Sequence, residues 1–266
     1  MYCFSFYLSG MSSFILSNKT NGLRLSNLLI VFSILAFNKC YGQFNDSTNY
    51  HVKFASTGIL NRTNDGDSYV LNNGLNFNVN KKKMTFNSTT AWVYGLQNNN
   101  LTNNDFSTYQ DFDLFKSTHR LYYWALLTYE KSYSLKITNR FQAGGGIAYK
   151  AVNTPSFNLV LSDGFLYETS NLEDATLGHD VYQTVRNSFR VKYKLTIKNT
   201  VVLEGVGFYQ PSMLDISDYI IKGSNSLSVK LNKWLALTAT EINNTISRTK
   251  RENLLMTFGF TVEKYF

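Results

Sequence analysis

Residues 254–266, LLMTFGFTVEKYF, restrict the fold more than any other stretch of the chain. Every second position gives Leu254, Met256, Phe258, Phe260, Val262, Lys264 and Phe266, and the alternate set is Leu255, Thr257, Gly259, Thr261, Glu263 and Tyr265. Successive side chains of a strand point to opposite faces, so this strand has one apolar face and one small or polar face. Ordinary strands run about 5–6 residues, whereas a tilted strand that crosses a bilayer needs about 9–11. Length and alternation together predict a membrane crossing made by a strand with lipid on one side and a polar interior on the other. Lys264 breaks the apolar set near its end, at a depth where a long amine reaches the headgroups.

Composition is compatible with this and does not by itself decide it. The 266 residues are 44% hydrophobic and 15% aromatic, with only two prolines, and the mean hydropathy is -0.20. That value is too low for a bundle of membrane helices, but lipid-facing and lumen-facing residues of a barrel alternate and average out. A soluble β-sandwich would share these averages, so the expectation rests on the alternation.

Residues 1–42 have the layout of an export signal. Lys19 and Arg24 supply positive charge, residues 28–37 (LLIVFSILAF) an apolar run, and Cys40 and Gly42 small residues before Gln43. That layout predicts a cleaved signal peptide, with a second start at Met11 also compatible. Acylation of Cys40 is the weaker alternative, because Asn38 and Lys39 precede it where small residues are wanted. Residues 43–50 are then a short periplasmic lead-in and 51–266 the barrel. Both cysteines, Cys3 and Cys40, fall in the leader, so no disulfide is expected in the remainder. The formal charge of +8 falls to +5 without the leader, from 23 basic and 18 acidic residues. So mild an excess, with no basic stripe, argues against a nucleic-acid partner.

From His51 onward, alternating segments are separated by polar breaks. They lie at about 52–62, 68–80, 84–96, 106–115, 120–130, 135–151, 157–167, 181–195, 200–210, 219–231, 235–244 and 254–266, about twelve antiparallel strands in one transmembrane β-barrel. In the second, Tyr69, Leu71, Leu75, Phe77 and Val79 oppose Asn72, Gly74, Asn76, Asn78 and Asn80. A row of asparagines facing hydrocarbon would cost several kcal/mol per unpaired amide, so it must line the interior. The polar stretches 97–105 and 168–180 predict long extracellular loops, alternating with short periplasmic turns such as 81–83. Trp92, Tyr94, Tyr122, Trp124, Trp234 and Phe266 fall near strand ends, where aromatic girdles meet the membrane interfaces; ordinary strand preference for aromatics is the alternative.

The order and texture of residues 50–266 resemble the salt-induced outer-membrane protein family, also called YdiY-like, of unknown function. The resemblance is carried by the Gly58 region with its Asn-rich turn, the aromatic run 120–124 (RLYYW), the glycine-rich strand 139–149 (NRFQAGGGIAY) and the last strand ending on Phe266. It implies an outer-membrane β-barrel and supplies no catalytic residue. A last strand ending on Phe also resembles the signal read by the barrel-assembly machinery, an expected partner together with outer-membrane lipids including lipopolysaccharide.

A search for chemistry is mostly negative. His51, His119 and His179 are not at metal-ligand spacing and no cysteine accompanies them, so no metal, cofactor or catalytic residue is expected. Gly144, Gly145 and Gly146 lack the lysine and helix of a phosphate loop and predict a bend or close approach of backbones. Gly66, Asp67 and Ser68 suit a hairpin turn. Arg62, Arg248, Lys250 and Arg251 fall in predicted extracellular turns, as a solvated rim or a lipopolysaccharide-phosphate contact. The informative feature is interior charge: Arg140, Lys150, Arg186, Arg190 and Lys192 share the inward parity, as do Asp111, Asp113, Asp218 and Glu263. Two readings follow, a narrow pore biased toward anions or a salt-bridged, closed structural component of the envelope, with a substrate-specific diffusion channel for small anionic solutes as the runner-up. A lipid-modifying enzyme is the alternative from another class. Oligomeric state is not set by the sequence.

Overall fold

The computed structural model describes residues 49–64, 66–116, 119–174 and 178–266. The expected signal peptide, its cleavage point, both cysteines, Asp65 and most of the lead-in lie outside the described residues.

Thirteen strand segments follow in chain order: β1(Tyr50–Thr63), β2(Gly66–Asn80), β3(Met84–Gln97), β4(Asn100–Leu114), β5(Leu121–Ser132), β6(Ile137–Asn153), β7(Phe157–Asp174), β8(Gly178–Asn187), β9(Phe189–Ile197), β10(Val201–Pro211), β11(Tyr219–Lys230), β12(Leu235–Ile246) and β13(Arg251–Tyr265). Each pairs antiparallel with its neighbours, β6 pairs with β7, and β1 pairs with β13, so the sheet closes on itself. β8 and β9 are one stave interrupted at Ser188: both pair with β7 in one continuous register, and the Ser188 amide still donates to Gly164 at 2.8 Å. The barrel therefore has twelve staves. Closure leaves no unpaired edge, which is the condition for a sheet to sit in lipid. Tyr50 and Phe266 exchange backbone hydrogen bonds at the seam and define what is here named the terminal end. The opposite end is the far end.

Parity follows the expected pattern. On β13 Leu254, Met256, Phe258 and Phe260 are exposed on the outer face while Thr257 and Thr261 are buried. Strands of up to 18 residues are longer than a tilted strand needs to cross the hydrocarbon, and the excess at the far end takes up the polar stretches. That corrects the expected long loops. The stretch 97–105 is mostly strand, turned by Asn98 and Asn99 alone at φ 49° and 61°, a left-handed pair that asparagine tolerates. The stretch 168–180 is likewise mostly β7 and β8. The backbone pairing runs on through both polar stretches.

The glycine-rich strand does bring backbones together. A Cβ on Gly146 would lie 2.6 Å from the Gly164 Cα, and one on Gly164 would lie 2.7 Å from the Trp124 indole. These glycines make room for a large inward side chain on β5. On the outer face the Tyr193 hydroxyl donates to Asn225, whose amide donates to Glu241, so polar groups on the β9–β12 exterior satisfy one another.

Candidate functional site: the barrel lumen

The expected interior residues do face inward. Arg140, Arg186, Arg190, Asp111, Asp113 and Asp218 are buried, and Lys150, Lys192 and Glu263 are partly so. Their pairing, which parity cannot give, is set by which staves lie across the lumen. Near the terminal end, Glu263 meets His51 at 3.3 Å and Lys230 at 3.1 Å, while Lys53 on β1 reaches Glu204 on β10. His51 also accepts or donates at 3.0 Å with Asn78 and stacks on Tyr265. Midway, Asp111 on β4 takes Arg190 of β9 at 3.0 Å and also Lys192. Asp113 takes Lys116, and the Lys150 ammonium donates to the Lys116 carbonyl. The Arg190 guanidinium also bonds Ser162 at 2.9 Å and lies 4.9 Å from the Trp124 ring and 6.0 Å from that of Phe208.

Toward the far end the network tightens. Glu130 on β5 accepts from Lys222 of β11, from Tyr109 and, at 3.5 Å, from Arg140. Glu168 accepts from Gln142 at 2.6 Å, Tyr182 at 2.6 Å and both Nε and Nη2 of Arg186 at 2.8 and 3.1 Å. Arg186 continues to Asp218 at 2.9 Å, and Arg248 bridges Asp218 and Asp180 at 2.7 and 2.8 Å while its guanidinium lies 3.8 Å from the Tyr182 ring. Partial burial opposes the Arg248 charge, but these two carboxylates outweigh it and raise the pKa. Arg248 thus serves as a strap across the mouth, unlike the freely solvated rim residue expected of it. Leu135, Ile137, Leu172, Ile220 and Ile246 pack beneath as an apolar lid. Asn253 of β13 adds a bond at 3.0 Å to Ser134 in the turn after β5.

Two of the expected interface aromatics are corrected. Tyr122 and Trp124 are only 2% and 4% exposed and cluster inside with Leu126, Ala148 and Leu166. β5 carries aromatics on both parities, and it is Leu121, Tyr123, Leu127 and Tyr129 that are exposed, so residue type alone misassigned the face. Trp92 and Phe266 are exposed, Tyr94 shares the outward parity of Trp92, and Trp234 sits in the turn after β11. Sequence reasoning also missed Glu130, Glu168 and Lys222. Lys222 was readable from its parity with Ser224, Ser226 and Ser228. Glu168 was hidden by its assignment to a loop.

Between these contacts two chambers remain. A cavity of about 710 Å³ at the terminal end is lined by Lys53, Lys116, Lys150, Lys192, Lys194 and Glu204 and by the asparagine row. An inner chamber of about 300 Å³ holds Tyr109, Asp111, Glu130, Arg190, Lys192 and Lys222 on largely apolar walls. Asn87, Ala91, Lys192, Val206 and Ile242 border both. Among the described residues no three His, Cys, Asp or Glu side chains gather as a metal site.

A closed ring of twelve antiparallel staves, apolar outside and charged inside, defines a transmembrane β-barrel of the outer-membrane type. A family model described as "Protein of unknown function, DUF481" matches residues 56–263, and the chain belongs to that family, the YdiY-like one. No curated protein matches in sequence. Among solved structures, the translocator domain of autotransporter NalP from Neisseria meningitidis is similar with TM-score 0.45 at 13% identity, over 91% of this chain and 94% of that one. The NanC porin is similar with TM-score 0.48 at 10% identity, over 82% and 99%. An outer membrane channel from Pseudomonas putida F1 is similar with TM-score 0.47 at 7% identity, over 85% and 98%. At such identities no function is carried across.

Proposed function

We propose that the protein is a non-enzymatic outer-membrane barrel providing a narrow, anion-preferring pathway whose far mouth is closed in the conformation described. The terminal end is then periplasmic, β13 is the strand read by the assembly machinery, and the far rim meets lipopolysaccharide. The observation that carries the reading is the lysine excess of the larger chamber: Lys53, Lys116, Lys150, Lys192 and Lys194 line it and outnumber their partner carboxylates Glu204, Asp113 and Asp111. One sign of charge on low-dielectric walls concentrates counter-ions. The Lys150 ammonium, held on a carbonyl, leaves its charge available to a passing anion. A closed structural post is the second reading, favoured by the Arg248 strap and the apolar lid.

Planar-bilayer recording separates the two. The pathway predicts small anion-preferring steps that enlarge in Arg248→Ala and in Ile220→Ser, which loosen strap and lid. Silence in the folded wild type and in both variants would retire the pathway in favour of the post.

A further inference from the structure

Within that pathway, we propose that the inner chamber is a binding site for a small monoanion with an apolar body, an aromatic or branched carboxylate, anchored by Arg190. The claim rests on the anion-pathway reading and adds a ligand class to it. Three observations point the same way. First, Arg190 lines the chamber and is buried, yet its Nη2 has no hydrogen-bond partner, while Nε and Nη1 are held by Ser162 and Asp111. A buried guanidinium nitrogen without an acceptor is costly, and a carboxylate oxygen would satisfy it with a charge-assisted bond. Second, the anchor's surroundings are locally cationic although the chamber's inward-facing charges balance: Arg190, Lys192 and Lys222 line it with Asp105, Asp111 and Glu130, but Arg190 and Lys192 share the single carboxylate of Asp111. Third, Leu126, Val93, Val206, Phe208, Ile242 and Leu255 supply the walls. At about 300 Å³ the space is at the small end of ligand pockets, which fits one ring with its carboxylate and excludes oligomers.

The fixed geometry of the anchor supports recognition of a carboxylate over a diffuse charge. Arg190 is clamped by two polar partners and its guanidinium lies near the rings of Trp124 and Phe208, so its fork is pre-organised. Entry runs from the larger chamber past Ala91 and Val206, which border both spaces.

The test is calorimetric titration of benzoate into the protein purified in detergent from membranes of cells expressing the full chain. Benzyl alcohol and benzylamine serve as neutral and cationic controls, and heat-modifiable gel migration confirms folding. Saturable benzoate binding that weakens at least about tenfold in Arg190→Gln, and also in Ala91→Phe, which narrows the entry and leaves every ion pair intact, supports the site. Absence of saturable binding to folded wild type overturns it. So does equal affinity for benzyl alcohol, or benzoate binding unchanged in folded Ala91→Phe. Binding without conductance in bilayers would retain the site and remove the pathway. Anion-selective conductance without benzoate binding would do the reverse.

Discussion

Two walls of one barrel, built from the same backbone geometry, behave differently. Along β1, β2 and β3 the inward row is, apart from His51 and Lys53 near the terminal end, made of small groups such as Thr57, Asn72, Gly74, Asn76, Asn78, Thr89 and Ala91, bonded chiefly to their neighbours, as in Asn76 with Thr89 at 2.7 Å. Along β5 to β9 the inward row includes Tyr122, Trp124, Arg140, Glu168, Arg186 and Arg190, all buried; its ion pairs join neighbouring staves, as in Arg140 and Arg186 with Glu168, and also reach across the lumen, as in Arg190 with Asp111 and Glu130 with Lys222. Strand number sets a barrel's circumference, but here side-chain size sets the bore. The first wall borders open space along its small inward row, whereas the second is filled at Tyr122, Trp124, Arg140, Glu168 and Arg186 and borders the chambers through residues such as Glu130, Lys150, Arg190 and Lys192. The second wall is therefore where stability is concentrated, and the first is where a solute has room.

Glu168→Ala should show the largest effect on that contrast. It leaves Arg140 and Arg186 buried without the carboxylate between them, and breaking such a pair costs about 3–5 kcal/mol, to be read from urea unfolding in detergent. Equal stability of mutant and wild type would mean that the far-end network is ornamental. Next is the matched pair of glycines. Gly146→Ala drives a methyl against the β7 backbone and should cost about 1–3 kcal/mol, whereas a Cβ at Gly74, on the open wall, meets nothing within 4 Å and should shift stability by less than about 0.5 kcal/mol. Similar losses at both positions would erase the distinction between the walls. Thr257→Val removes the 2.6 Å hydroxyl contact with Thr57, which keeps its bond to the Asn72 carbonyl, and should cost about 1 kcal/mol. Lys136→Ala, which breaks a pair with Glu173 on partly exposed side chains, should be near neutral, within about 0.5 kcal/mol. A larger loss there would show that the rim, too, is structural.

Much of this fold was legible because lipid and lumen impose opposite demands on alternate residues. The asparagine row of β2 and the apolar row of β13 each fix a parity, and neighbouring staves inherit it through register. The inward placement of Arg186 and Arg190 followed in the same way. What parity could not show was the partner across the lumen: nothing local to Asp111 names Arg190, 79 residues away, because that contact depends on barrel closure. The faces of Tyr122 and Trp124 were misassigned because β5 offers aromatics to both sides, and only the glycine gap at Gly164 reveals where the indole fits. The far-end extensions of β3, β4, β7 and β8 were misjudged as loops because polarity was read as the end of a strand, whereas the pairing continues through it.

The measurement closest to the central claim is the reversal potential across a salt gradient in a planar bilayer, for the wild-type barrel and for Lys150→Glu. Reversal at Lys150 leaves Asp113 with Lys116 and Asp111 with Arg190 and Lys192, so the network that holds the wall stays paired. The lysine-lined chamber predicts anion preference in the wild type and a shift toward cations in the variant. A cation-preferring wild type, or a folded, conducting variant with an unchanged reversal potential, would contradict it.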